Sequence, residues 1–115
     1  MFGTFVPPEP VVEVKEEIVL PAELKRVCSC ESTGNPNNEP VQFNEDGSVL
    51  RGRINPDDVG MCQINLSYHG ERAIELGIDL FTEEGNKEYA TMLYNEQGTT
   101  PWNWSRPCWM PLFGG

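Results

Sequence analysis

The chain has 115 residues, of which 38% are hydrophobic, with 11 Gly, 10 Pro and four Cys. That size suits one domain whose core is too small to do without covalent staples, and an even cysteine count favours disulfides in an oxidising compartment over zinc, because no CxxC pair is present. The formal net charge of −10 excludes nucleic acid as a partner, since phosphate binding needs clustered Lys and Arg, and it argues against a helix lying on anionic lipid.

Residues 1–20 read as a flexible N-terminal tether. Pro7, Pro8 and Pro10 favour an extended chain, and "VVEVKEEIVL" alternates only loosely. "MFGTFVPPEP" lacks the basic and apolar regions of a signal peptide. No stretch approaches the roughly 18 apolar residues of a membrane span. A secreted form is therefore expected to have lost its export signal, and no membrane insertion is expected.

A domain is expected over residues 21–110, followed by a short tail at 111–115. It opens with a helix in "LPAELKRVCSCES". Pro21 suits the first turn, and Glu23 suits the positive end of the helix dipole. Ala22, Leu24, Val27 and Cys28 give an apolar stripe, and Gly34, Asn35 and Pro36 end it. Glu31 then lies in the last turn. Residues three apart share a helix face, so Cys28 and Glu31 point one way and Cys30 another.

In "VQFNEDGSVLRGRINPDDVG" two β-prone runs, about Val41–Phe43 and Ser48–Arg51, flank Asp46-Gly47, a hairpin turn signal. "CQINLSYHGERAIELG" reads as one or two short helices, broken near Gly70 and ended by Gly77. "TEEGNKEYATMLYNEQG" reads as a helix with Thr82 as N-cap, Gly98 past its end, and Tyr89, Met92 and Leu93 at helical spacing. The closing "PWNWSRPCWMPLFGG" holds all three tryptophans. The fold class expected is α+β, mainly helical with a small antiparallel hairpin.

Glu31-Ser32, then a hairpin, then Asp58, Gly60, Gln63, Ile64 and Asn65 form the ordered pattern E-S … D-x-G-x-x-Q-I-N. This pattern resembles the lysozyme superfamily, specifically chicken-type lysozymes and small soluble lytic transglycosylases. The likeness extends from about residue 22 to 109 and takes in Asn86 and the "WNWS" tryptophans. The chain departs from it in a longer gap between Glu31 and Asp58, in Cys62 where a large apolar residue is usual, in the missing Ala-Tyr-Asn segment, and in its acidity.

The resemblance implies a lysozyme-like fold and cleavage of the β-1,4 bond between N-acetylmuramic acid and N-acetylglucosamine in peptidoglycan. Such an enzyme is a secreted or cell-envelope glycosidase with no metal or cofactor, expected as a monomer. Glu31 is the implied general acid. That role needs a carboxyl whose pKa an apolar wall lifts toward neutrality; lysozyme is the standard illustration of such a pair of carboxylates. Asp58 is the implied second carboxylate, either stabilising the oxocarbenium-like transition state or acting as nucleophile. The other reading of Asp58 is a turn residue, as in a one-acid transglycosylase that forms a 1,6-anhydro product. A wall-binding module without turnover is a third reading.

Ser32, Gln63, Asn65, Asn86, Trp102 and Trp104 are the implied substrate-binding residues. All but Asn86 have a plainer alternative: capping for Ser32, Gln63 and Asn65, and core packing for at least one of the tryptophans. Trp109 reads as core or tail packing, and His69 as a surface residue. Cys28 shares the Glu31 face and Cys62 precedes Gln63 in the opposing segment, so Cys28–Cys62 with Cys30–Cys108 is expected first, with Cys28–Cys108 and Cys30–Cys62 as the alternative; a Cys28–Cys30 bond is disfavoured because the two side chains diverge on a helix. Each bridge is expected to stabilise the fold by about 2–4 kcal/mol.

Overall fold

A computed structural model describes residues 17–110, together with Gly3. It is a small α+β domain of four α-helices and one two-stranded antiparallel sheet. The remaining tether residues and the tail at 111–115 lie outside the described residues. Within 17–20 there is no strand, and Leu20 already packs into the core. Leu20, just before Pro21, thus belongs to the packed core.

Helix α1 spans Ala22–Thr33, with Pro21 at its N-cap and Gly34 closing it in the left-handed conformation. Leu24, Val27 and Cys28 are fully enclosed, but Ala22 is exposed and does not extend the stripe. Ser29, Ser32 and Thr33 each donate a hydroxyl hydrogen bond to the carbonyl four residues earlier. Three short polar side chains are thereby satisfied within the helix itself.

The segment around Asp46-Gly47 does turn back on itself. Asn44 and Ser48 pair through the backbone, and Asp46 accepts from the Ser48 amide. Its flanks pair only through the isolated bridges Phe43–Val49 and Arg51–Val59. The regular sheet is elsewhere: β1 (Asp58–Val59) pairs with β2 (Ile64–Asn65), Asp58 opposite Asn65 and Val59 opposite Ile64. The expected helix over "CQIN" is thus a correction, because those residues form the turn and second strand of a hairpin. Gly60 (φ 77°) and Gln63 (φ 50°) supply the two left-handed positions this tight connection requires.

Helix α2 spans Leu66–Glu75, starting on the Asn65 side chain, which accepts from the Tyr68 amide. It runs unbroken through Gly70, contrary to the expected break: a lone glycine costs a helix only about 1 kcal/mol, and nothing here demands a bend. Helix α3 spans Glu83–Gln97, with Thr82 accepting from the Gly85 amide and Gly98 at its end. A 3₁₀ segment, Thr100–Ser105, leads into the short α4, Arg106–Trp109.

The core gathers α1, the β1–β2 turn, α3 and the tryptophan segment. Tyr89, Leu24, Met61, Ile64, Leu93, Val27 and Val59 are its largest fully buried side chains. Cys28 is bonded to Cys62 and Cys30 to Cys108, and no free cysteine remains. The first bridge ties α1 to the hairpin turn. The second ties it to α4.

Candidate active site

Glu31 lies where three pieces of chain meet: the last turn of α1, the β1–β2 hairpin and the tryptophan segment. They enclose a cleft of about 720 Å³ lined by Glu31, Ser32, Asp58, Gln63, Asn65, His69, Trp102 and Trp104, with Leu50 to Asn55 along one side. Its walls mix apolar and polar groups, as ligand clefts do.

The Glu31 carboxyl is half-buried, and its pKa is pushed up to about 7, first by burial, which penalises the charged form, and then by the nearby Asp58 carboxylate. One interaction works the other way: Ser105 Oγ donates to Glu31 Oε1 at 2.8 Å and favours ionisation. A carboxyl balanced in this way can give up a proton near neutral pH and take one back.

Asp58 lines the same cleft. Its Oδ1 accepts from Asn65 Nδ2 at 2.9 Å, across the β1–β2 pair. Asn65 Oδ1 meanwhile caps α2. One asparagine therefore fixes the Asp58 carboxylate, starts a helix and forms part of the cleft wall. Ser32 Oγ donates to the Cys28 carbonyl and accepts from the Val41 amide. It clips the returning chain to the end of α1 beside Glu31. Gln63 Nε2 donates to its own turn at Gly60, and its side chain also forms part of the cleft wall.

Two expected site residues are placed differently. Asn86 is fully buried. Its Nδ2 donates to the Val59 and Leu80 carbonyls, and its Oδ1 accepts from the Cys62 amide. An amide so committed cannot also bind a ligand, so Asn86 is a scaffold residue for the hairpin turn. The tryptophans divide: Trp102 is buried, its Nε1 donating to the Cys62 carbonyl at 2.8 Å, and reaches the cleft only as part of its wall, while Trp104 is fully exposed. Trp104 thus stands free to stack on a flat ligand face. Trp109 is buried.

Three residues in or behind the site carry no sequence signal of their own role. Ser105 is one. Gln42 is another: buried, it accepts from the Met61 amide and donates to the Leu80 and Phe81 carbonyls, so it and Asn86 grip the same turn. The third is His69, which lies in the cleft wall rather than on open surface. Its Nδ1 is 2.9 Å from Tyr89 Oη, its ring packs between Tyr68 and Tyr89, and burial pulls its pKa down.

Compared with known proteins, the chain has no match: no family, no curated protein and no solved structure corresponds to it.

Proposed function

We propose that this chain is a lysozyme-like glycosidase that cuts the β-1,4 MurNAc–GlcNAc bond of peptidoglycan, with Glu31 as general acid. The observation that carries the reading is a carboxyl lifted to about 7 in an open cleft that also holds a second carboxylate. An ordinary glutamate is almost wholly ionised at neutral pH and cannot protonate a leaving oxygen. The order E-S … D-x-G-x-x-Q-I-N supports the same assignment.

In the proposed reaction Glu31 gives its proton to the glycosidic oxygen as the bond breaks, and Asp58, aligned by Asn65, lies opposite the positive charge that develops on the sugar ring. Gln63 and the Asn65 amide offer hydrogen bonds to acetamido or hydroxyl groups. Trp104 offers a stacking face. The two bridges of α1 support an extracytoplasmic location, and no described helix is long and apolar enough to cross a membrane.

The test is digestion of purified sacculi. Wild type releases muropeptides, and Glu31→Gln clears a peptidoglycan suspension at least about 100-fold more slowly. Equal clearing by the two proteins sinks the assignment. Mass spectrometry of the products separates hydrolysis from 1,6-anhydro formation, because the products differ by one water. Asp58→Asn is expected to cripple a two-carboxylate hydrolase and to spare much of the activity of a one-acid transglycosylase. Binding to sacculi without any released fragment would mark a wall-binding module.

A further inference from the structure

The Ser105 hydroxyl has one proton and two acceptors in reach. Its Oγ lies 2.8 Å from Glu31 Oε1 and 3.1 Å from the Trp102 carbonyl. On its other side it accepts from Trp109 Nε1 at 3.0 Å. The indole N–H occupies one lone-pair direction, which leaves the hydroxyl proton to alternate between the two oxygens. Both tryptophans are buried, and α4 is bolted to α1 through Cys30–Cys108. The three partners are therefore held in register with Glu31.

We propose that Ser105 is a positioning residue for Glu31: its hydroxyl proton turns to the Trp102 carbonyl when Glu31 is protonated and to Glu31 Oε1 when Glu31 has given its proton away. No bond to Oγ is made or broken. Only the direction of its O–H changes, so the charge left on the carboxylate is met at once by a donor already in place. Such preorganised donors are worth most in partly desolvated sites, where water cannot reorient to do the same work.

The inference rests on Glu31 being the proton donor of the proposed reaction. It also explains why burial does not strand the proton on Glu31: desolvation and Asp58 hold it on, and Ser105 opposes them. The other charged or titratable groups around the cleft are Arg51, Arg53 and His69. None of them hydrogen-bonds to the Glu31 carboxyl.

The experiment follows the Glu31 carboxyl directly by ¹³C NMR in glutamate-labelled protein, assigned by its disappearance in Glu31→Gln, alongside the pH profile of sacculus digestion. Ser105→Ala is expected to raise the Glu31 titration midpoint by about one pH unit, the worth of one charge-assisted hydrogen bond. The alkaline limb of kcat/KM should move up with it. The same loss lowers kcat by about tenfold and leaves KM unchanged. Ser105→Thr, which keeps the hydroxyl, restores both values. If Ser105→Ala fails to fold, Ser105→Cys, a weaker donor of similar size, should shift the midpoint in the same direction by less. An unchanged midpoint in the alanine variant, or no rescue by threonine, overturns the proposal. Digestion by a wild type whose Glu31 titration ignores Ser105 keeps the glycosidase reading and removes this one. A shifted midpoint in a protein that digests nothing leaves only the Ser105–Glu31 hydrogen bond and overturns the catalytic role given to both residues.

Discussion

Glu31 shows how one side chain acquires a chemistry its neighbours in sequence do not give it. The glutamate belongs to a polar helix end, yet its folded surroundings hold a proton up to about 7. The linkage has a sign. In the unfolded chain Glu31 ionises near pH 4.5, while in the folded protein it stays protonated until about 7. The folded state therefore binds the extra proton between those values, and its stability falls as pH rises through that window, by up to about 3 kcal/mol. Glutamine has no such loss. Glu31→Gln is accordingly expected to melt close to wild type at pH 4 and several degrees above it at pH 8. Calorimetry at the two pH values checks this, and an equal gap at both would contradict the raised pKa. If Glu31 is the general acid proposed above, digestion of sacculi falls on the alkaline side as pH passes about 7, because the carboxyl is then ionised.

At the scale of elements, the hairpin that carries Asp58 is not stabilised by its own two-residue strands. It is gripped from behind. Gln42 and Asn86 satisfy the Met61 and Cys62 amides, Trp102 takes the Cys62 carbonyl, and Cys62 is bonded to α1. Gly60 lets this happen: a Cβ there would lie 2.3 Å from Asn86 Nδ2, in a backbone conformation that side chains avoid. Asn86→Ala would leave the buried Cys62 amide without its partner and take a donor from the Val59 and Leu80 carbonyls, of which Leu80 keeps only Gln42. A cost of about 3–5 kcal/mol is expected, visible as a lower urea midpoint, with activity lost as the turn loosens. A change under about 1 kcal/mol would show that the turn is held mainly by the Cys28–Cys62 bridge.

At the scale of the whole molecule, the property that bears on the proposed substrate is charge. A net charge of −10 opposes approach to an anionic wall polymer. Long-range repulsion is screened within about 10 Å at 0.1 M salt and about 30 Å at 0.01 M. The digestion rate is therefore expected to rise between about 10 and 100 mM salt, measured on sacculi at fixed pH. A steady fall over that range would argue against repulsion as the limiting step.

The sequence by itself determined the helical majority of the fold: Thr82 and Gly98 bracket α3, Gly34 ends α1, and apolar spacing marks the buried face of α1 from Leu24 to Cys28. It also set the order of the cleft-lining residues from Glu31 to Asn65, because residue order and local caps are local properties. What it left open were matters of distance between remote segments. Only the tertiary structure chose Cys28–Cys62 with Cys30–Cys108, turned "CQIN" from helix into hairpin, made Asn86 a buried brace, sorted Trp102 inward from Trp104 outward, and set Ser105 against Glu31 across 74 residues of chain. Each depends on which surfaces meet when the core closes, and burial and hydrogen-bond partners exist only after that closure.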